Sequence, residues 1–100
     1  MKYKLIVLPV AQQEFSEAIT YYNDISHELA IKFLDLIETI FKKLEEHPEY
    51  YSFFQNSNSI RSLSLETFPY TIIFQINNVR VIIGAVFNTH QDPLKATNRF

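Results

Sequence analysis

Two apolar runs, Phe68-Pro69-Tyr70-Thr71-Ile72-Ile73-Phe74 and Val79 to Phe87, stand on either side of Asn77-Asn78. No other feature constrains the fold so tightly. Both central positions of a type I′ hairpin turn need positive φ, which asparagine tolerates. A turn at Asn77-Asn78 sets Ile76 opposite Val79, Gln75 opposite Arg80 and Phe74 opposite Val81. Tyr70, Ile72, Phe74 and Ile76 then share one face with Val81, Ile83 and Ala85. The other face carries Thr71, Ile73, Gln75, Arg80, Ile82 and Val86. The first face reads as fully buried, the second as mixed and partly open. Ile60 to Leu65 supplies a preceding strand, so the last third of the chain is an antiparallel meander.

Upstream the hydrophobic period changes. Lys2 to Leu8 reads as a strand ended by Pro9. Ala11, Phe15, Ala18, Ile19, Tyr22 and Ile25 then fall on one helical face, with Glu14, Glu17, Tyr21 and Asp24 off the stripe. Pro9 suits the first turn, where its missing N–H costs nothing. Ser26 reads as a break and the N-cap of a second helix, and Glu28 is favoured in its first turn. That helix runs on a main stripe of Phe33, Leu36, Ile37, Ile40 and Leu44, widened by Ala30, Leu34 and Phe41. Lys42, Lys43 and His47 lie at its end and Pro48 stops it. So broad a stripe is either gripped between the sheet and the first helix or partly covered by a second chain. Glu49 to Ser59 is irregular, with the aromatics Tyr50, Tyr51, Phe53 and Phe54 and a turn signal at Asn56-Ser57-Asn58-Ser59. The fold class that follows is α+β, ordered β-α-α-β-β-β, with a helical hairpin packed on a small, largely antiparallel sheet.

One hundred residues form a single domain, residues 1–100, with no linker or repeat. Apolar residues make up 47% and Gly84 is the only glycine, a globular composition. Phe33, Ile37, Phe74 and Ile83 are expected where the second helix meets the sheet. The absence of cysteine excludes disulfides and thiolate metal sites. The apolar stretch around Pro9 is too short for a secretory signal, and nothing approaches a membrane span, so a soluble, cytoplasmic protein with no membrane contact is expected. Net charge is −2, but its distribution is uneven. Residues 10–50 hold nine acids and three bases, while the remainder holds the bases Lys2, Lys4, Arg61, Arg80, Lys95 and Arg99 against Glu66 and Asp92. Either this gives a dipolar molecule with one face suited to an anionic partner, or it reflects acidic helices beside sparsely charged strands.

Motifs for phosphate loops, dinucleotides, acyl-transfer serines and metal helices are missing. His27, His47 and His90 are far apart in sequence, so neither a metal nor a cofactor is expected. Four side chains remain. Arg61, at the start of a strand, either clamps a phosphate bidentately or pairs with a neighbouring carboxylate. Tyr70 has the parity of the apolar face and reads as a core tyrosine. Arg80 at the hairpin tip suits a solvated edge charge. His90, beyond the last strand, is either an acid/base group or a solvated loop histidine.

The element order and several local patterns resemble the RelE/ParE toxin superfamily, in its plasmid-stabilisation branch, over nearly the whole chain. The matching points are Pro9 leading the first helix, Tyr21-Tyr22 late in it, and the second helix ending at His47-Pro48. Ile60-Arg61, Phe68-Pro69-Tyr70 to Phe74, and Ala85-Val86-Phe87 leading to Asp92-Pro93 complete them. The resemblance implies the toxin of a bacterial type II toxin–antitoxin module, silenced by a cognate antitoxin; it leaves a homodimer open. Members inhibit DNA gyrase, cleave mRNA on the ribosome, or act by a route not established. The RelE-type reaction is metal-free: the 2′-OH attacks the adjacent phosphate while cationic side chains stabilise the developing charge. Arg61, Arg80 and His90 are the candidates for that role here. The branch commonly carries a histidine at the place of Asn88 and an arginine at the place of Gln91, so this basic cluster is incomplete. The resemblance with these departures favours action by protein contact, on gyrase or another target, over the endoribonuclease. A vestigial, non-toxic member is a third reading.

Overall fold

The sheet is built outward from its most apolar strand. In the computed structural model, which describes residues 2–91 and 99–100, β1 (Lys4–Val7), α1 (Pro9–Ile25) and α2 (His27–Glu46) come first. A single 3-10 turn (Pro48–Tyr50) then leads to β2 (Ile60–Ser64), β3 (Tyr70–Asn77) and β4 (Arg80–Asn88). The strand order is β1-β4-β3-β2. β1 lies parallel to β4, and the other pairs are antiparallel. Central position explains composition: β4 has neighbours on both sides and is apolar almost throughout. The order β-α-α-β-β-β and the α+β class are as expected.

Local chemistry sets the helix ends. Pro9 occupies the first turn of α1. The Ser26 hydroxyl accepts a hydrogen bond from the Leu29 N–H at 3.3 Å, capping α2 after one extended residue. Pro48 follows the last turn of α2, where the His47 N–H still reaches the Lys43 carbonyl.

The helical hairpin covers one face of the sheet. Phe33, Ile37, Ile72, Phe74, Val81 and Ile83 are fully buried there. Tyr22, Phe33 and Phe68 meet edge to face or tilted, with ring centres 4.9 to 5.3 Å apart, a geometry the ring quadrupoles favour. The broad stripe of α2 is used mostly inside the chain: Ala30 is buried, and Phe41 packs half-buried with its ring 6.5 Å from Phe15. Ile25, expected on the buried stripe of α1, is instead 61% exposed, because α1 ends there and the chain turns at Ser26.

The hairpin differs from expectation in register. Its turn is Asn78-Val79, with Asn77 opposite Arg80, Ile76 opposite Val81 and Phe74 opposite Ile83. Only Asn78 takes positive φ, at 57°. A type I′ turn would require positive φ of its second residue too, and β-branched Val79 resists it. The slip moves each partner by two residues, so facing parity near the tip survives.

A bulge then reverses parity farther along. The ladder shifts between Ile73 and Phe74, so that Ile73 pairs with Ala85 and Gly84 is the extra residue of β4. Val86 therefore joins the helix-side core, and Ala85 joins Ile73 and Phe87 on the opposite face. Both assignments invert the sequence expectation. Nor is that second face open at its centre: Ile73 and Ala85 are fully buried, and Phe54 and Ile60 pack against them. The aromatic loop closes it.

Candidate functional site

α1 and the far ends of β3 and β4 leave a cleft of about 600 Å³ between them. The positions off the apolar stripe of α1 supply one wall, with Glu14, Glu17 and Tyr21. Pro69, Tyr70, Asn88 and His90 supply the other. Tyr21 is 59% exposed, and its ring meets Tyr22 edge-on at 5.2 Å. The loop beyond β4 is fixed by its own backbone. The Asn88 Oδ1 accepts from the His90 N–H at 2.9 Å, and the Pro69 carbonyl accepts from Thr89 N–H at 2.8 Å. His90 is thus an exposed loop histidine on the rim of this cleft.

Tyr70 is half-buried on the cleft wall, packed against the helix-side core as its parity predicted. Burial raises its pKa above the usual tyrosine range; a hydrogen bond with Asn88 opposes that shift, and Tyr21 and Glu17 add to it. Burial likewise raises Tyr22, reinforced by Tyr70 and Tyr21. With their pKa values raised, Tyr22 and Tyr70 are neutral hydrogen-bonding groups at physiological pH.

Arg61 lies elsewhere. It pairs with Phe74 across β2 and β3, on the helix side of the sheet. Its Nη1 donates to the Tyr51 carbonyl at 2.6 Å and to the Glu49 carbonyl at 3.3 Å. The guanidinium carbon stands 4.1 Å from the centre of the Phe53 ring, a cation–π distance. Neither sequence alternative names these partners. The loop after α2 folds back along β2, with the Ser62 N–H bonded to the Ser52 carbonyl and Phe54 N–H to Ile60 carbonyl. Arg61 is the pin that holds it.

Arg80 is exposed at the hairpin tip. It opens β4 while Asn88 closes it, about 26 Å apart at roughly 3.3 Å per residue. Arg80 and His90 therefore sit at opposite ends of the sheet, and Arg61 points to a third neighbourhood. The structure does not bring the three together. Of the earlier matching points, Asp92-Pro93 lies outside the described residues, as does Lys95 of the basic set. Among the described residues no three His, Asp or Glu side chains gather as metal ligands, and no helix is long and apolar enough to cross a membrane.

Sequence reasoning missed Glu17, Tyr21 and Asn88 as cleft residues. Their signal was weak: polar or aromatic positions off an apolar stripe are ordinarily solvated.

The family model for the ParE toxin of the type II toxin–antitoxin system parDE matches residues 5–93. The chain belongs to the ParE toxin family. A chain of the chromosomal ParDE system from P. aeruginosa is similar in fold, at TM-score 0.74 and 18% identity, covering 87% of this chain and 96% of that one. A double arginine-to-alanine mutant of E. coli toxin RelE in the free state is similar at TM-score 0.65 and 14% identity, covering 99% and 94%. Comparison with curated proteins gives no match. The match takes in both helices, β2, β3 and β4, and all of β1 but Lys4. This chain is a type II toxin.

Proposed function

We propose that this ParE-family toxin acts by contact with a protein target, DNA gyrase being the one the family resemblance names, and is silenced by a cognate antitoxin. The observation that carries the reading is the placement of the cations. Stabilising a phosphate transition state needs several cationic groups converging on one position. Arg61 is engaged with two backbone carbonyls and a phenylalanine ring, while Arg80 and His90 stand at opposite ends of β4. Such an arrangement suits a surface that presents shape and aromatic side chains to a protein. The likeness to a chain of the P. aeruginosa ParDE toxin–antitoxin system supports an antitoxin partner.

Induction without antitoxin is the test, followed by two readouts. Growth arrest, inhibition of purified gyrase in a supercoiling assay and intact mRNA 5′ ends are the expected results. Arrest with intact mRNA and unaffected gyrase keeps protein contact but moves it to another target. Discrete codon-phased cuts in primer extension would instead establish a ribosome-dependent endoribonuclease. Unimpeded growth would identify a vestigial toxin.

A further inference from the structure

The cleft between α1 and the far ends of β3 and β4 pairs carboxylates with aromatic rings. Its volume of about 600 Å³ lies within the range of roughly 300–1,000 Å³ usual for ligand sites. Glu14, Glu17 and Tyr21 come from one face of α1, at spacings of three and four residues that set side chains one above another on a helix. The rings of Tyr21, Tyr22 and Tyr70 continue the row. Tyr21 meets Tyr22 at 5.2 Å and Tyr22 meets Tyr70 at 6.2 Å, both edge-on. Tyr22 is buried, Tyr70 half-buried and Tyr21 exposed, so the row runs from the core out to solvent.

The two carboxylates differ in what they already hold. Glu14 is engaged by Arg99 through both oxygens and by the Val86 N–H. Glu17 is exposed, and its Oε1 accepts from the exposed side chain of Gln13 at 3.1 Å. Among the described residues no lysine or arginine pairs with Glu17, and none lines the cleft; His90 on the rim is the one basic side chain. An anion would meet two carboxylates here, and a neutral ligand would leave Glu17 unused. A cation meets an available carboxylate and the faces of neutral rings, since burial holds Tyr22 and Tyr70 above the usual tyrosine range. A guanidinium fits better than an ammonium: it is planar, weakly hydrated, stacks on aromatic rings and grips a carboxylate at two points. The chain makes both contacts within itself, with Arg61 4.1 Å from the centre of the Phe53 ring and Arg99 bidentate on Glu14.

We propose that this cleft is a binding site for a guanidinium group, stacked on Tyr21 and paired with the Glu17 carboxylate, with its alkyl stem against Pro69 and Tyr70. Tyr21 supplies the exposed ring face and Glu17 the charge, and the deeper tyrosines exclude water from one side of the pair. The group arrives either as an arginine side chain of a polypeptide or on a free guanidino compound, since the chemistry recognised is the same. The site makes no demand on which protein the toxin acts on, so its failure leaves the function proposed above standing.

The test is an amide NMR titration of the whole chain with blocked alanine peptides carrying one central arginine, lysine or citrulline, and with agmatine as the free guanidino compound. Shifts centred on Glu17, Tyr21 and Tyr70 are expected with the arginine peptide. Citrulline keeps the shape and removes the charge, so it should bind about ten-fold more weakly or worse. Lysine should fall between the two, because an ammonium gives up its water less readily. Glu17→Gln and Tyr21→Leu lie at exposed positions and should each weaken the arginine peptide about five-fold with no change in unfolding midpoint. Tighter binding of the arginine peptide than of agmatine supports an arginine side chain as the natural ligand, and the reverse order supports a free guanidino compound. Absence of shifts with every probe, equal affinity for arginine and citrulline peptides, shifts centred on Glu28, Asp35 and Glu38 of α2, or full affinity in both variants would each overturn the proposal.

Discussion

Arg99 and Glu14, 85 positions apart in sequence, form a bidentate ion pair that ties the end of the chain to the first helix. The contacts are Nη1–Oε1 at 2.7 Å and Nη2–Oε2 at 3.1 Å. Both groups are also bonded to the bulge in β4: Arg99 donates to the Gly84 carbonyl at 3.0 Å, and Glu14 accepts from Val86 N–H at 3.1 Å. Both backbone groups lie past the last β1–β4 pair, Val7 with Ile83, and the ion pair satisfies them where β1 no longer does. Both side chains are about four-fifths buried, so removing one partner strands the other. Glu14→Gln is expected to cost about 1.5–3 kcal/mol. A double-mutant cycle with Arg99→Ala, measured by denaturant unfolding, should give a coupling of at least about 1 kcal/mol. Additive effects would show that the pair is solvated and contributes nothing.

The only glycine of the sequence sits at this bulge, beneath the ring of Phe100. A Cβ on Gly84 would stand 2.8 Å from both Cε atoms of the Phe100 ring. Its φ is not positive, so the ring, and not the backbone, excludes a side chain. Phe100 is 37% exposed and can swing outward. Gly84→Ala should therefore fold, at a cost of roughly 1–2 kcal/mol from lost aromatic burial. In a Phe100→Ala background the same substitution should be neutral or stabilising by about 0.4–1 kcal/mol, since alanine has less chain entropy to lose. Thermal unfolding of the four variants distinguishes this from a backbone requirement for glycine.

Arg61 is placed to hold the loop after α2. Arg61→Ala removes a charge-assisted hydrogen bond to Tyr51 carbonyl, an interaction worth about 1.5–3 kcal/mol, and leaves Phe53 without its cation. Faster hydrogen exchange confined to residues 48–54 and a lowered unfolding midpoint are the expected outcome. Arg61→Lys should restore little, because an ammonium cannot reproduce the planar fork and its stacking. A variant of unchanged stability that no longer arrests growth would move Arg61 from the fold to the target surface.

The element order was legible because it rests on period and punctuation. Pro9, Ser26 and Pro48 mark helix boundaries by chemistry that acts within one turn, and the stripe of α2 needs no tertiary information. The hairpin register was not legible. Asn77-Asn78 offers two asparagines to a turn that uses only Asn78 at positive φ, and the choice is made by how β4 meets β1 and the helices. The bulge was equally hidden, since Gly84 marks it only once Phe100 and Arg99 are known to dock there. Arg61 was read as a phosphate clamp or a carboxylate's partner, whereas its partners are two carbonyls and a ring, which carry no signature in sequence. The cleft joins α1 to the end of β4, across a separation no local pattern spans.

The raised pKa values of Tyr22 and Tyr70 predict an alkaline limit to stability. Each group titrates higher in the folded chain than the ordinary value of 10.0, so above that pH the unfolded state releases protons the folded state retains. Stability is fully present below about pH 10 and is lost as pH rises through the folded-state values. Tyr22→Phe and Tyr70→Phe should each flatten the decline in unfolding midpoint between neutral and strongly alkaline pH. Unchanged slopes in both variants would assign the decline to other groups.

The wide stripe of α2 (Ala30, Leu34 and Phe41) and the aromatic run Tyr50 to Phe54 are candidates for antitoxin contact from sequence, and the structure separates Phe41 from Phe53. Phe41 packs half-buried against the core beside Phe15. Phe41→Glu therefore places a charge in an apolar contact and should cost about 2–4 kcal/mol of stability, so any loss of binding would follow from loss of fold. Phe53 is 45% exposed, on a loop held by backbone hydrogen bonds at both of its neighbours. Phe53→Glu keeps those bonds and gives the Arg61 guanidinium a carboxylate in place of a ring, so the fold should survive with little change in midpoint. Aromatic groups of this kind, exposed yet fixed in position, are the usual anchors of protein interfaces. Binding of a cognate antitoxin should weaken more than ten-fold on Phe53→Glu, read by calorimetry on variants shown to be folded by circular dichroism. Full affinity in a folded Phe53→Glu variant would place the antitoxin elsewhere, with the Tyr21–Tyr70 cleft the surface to test next.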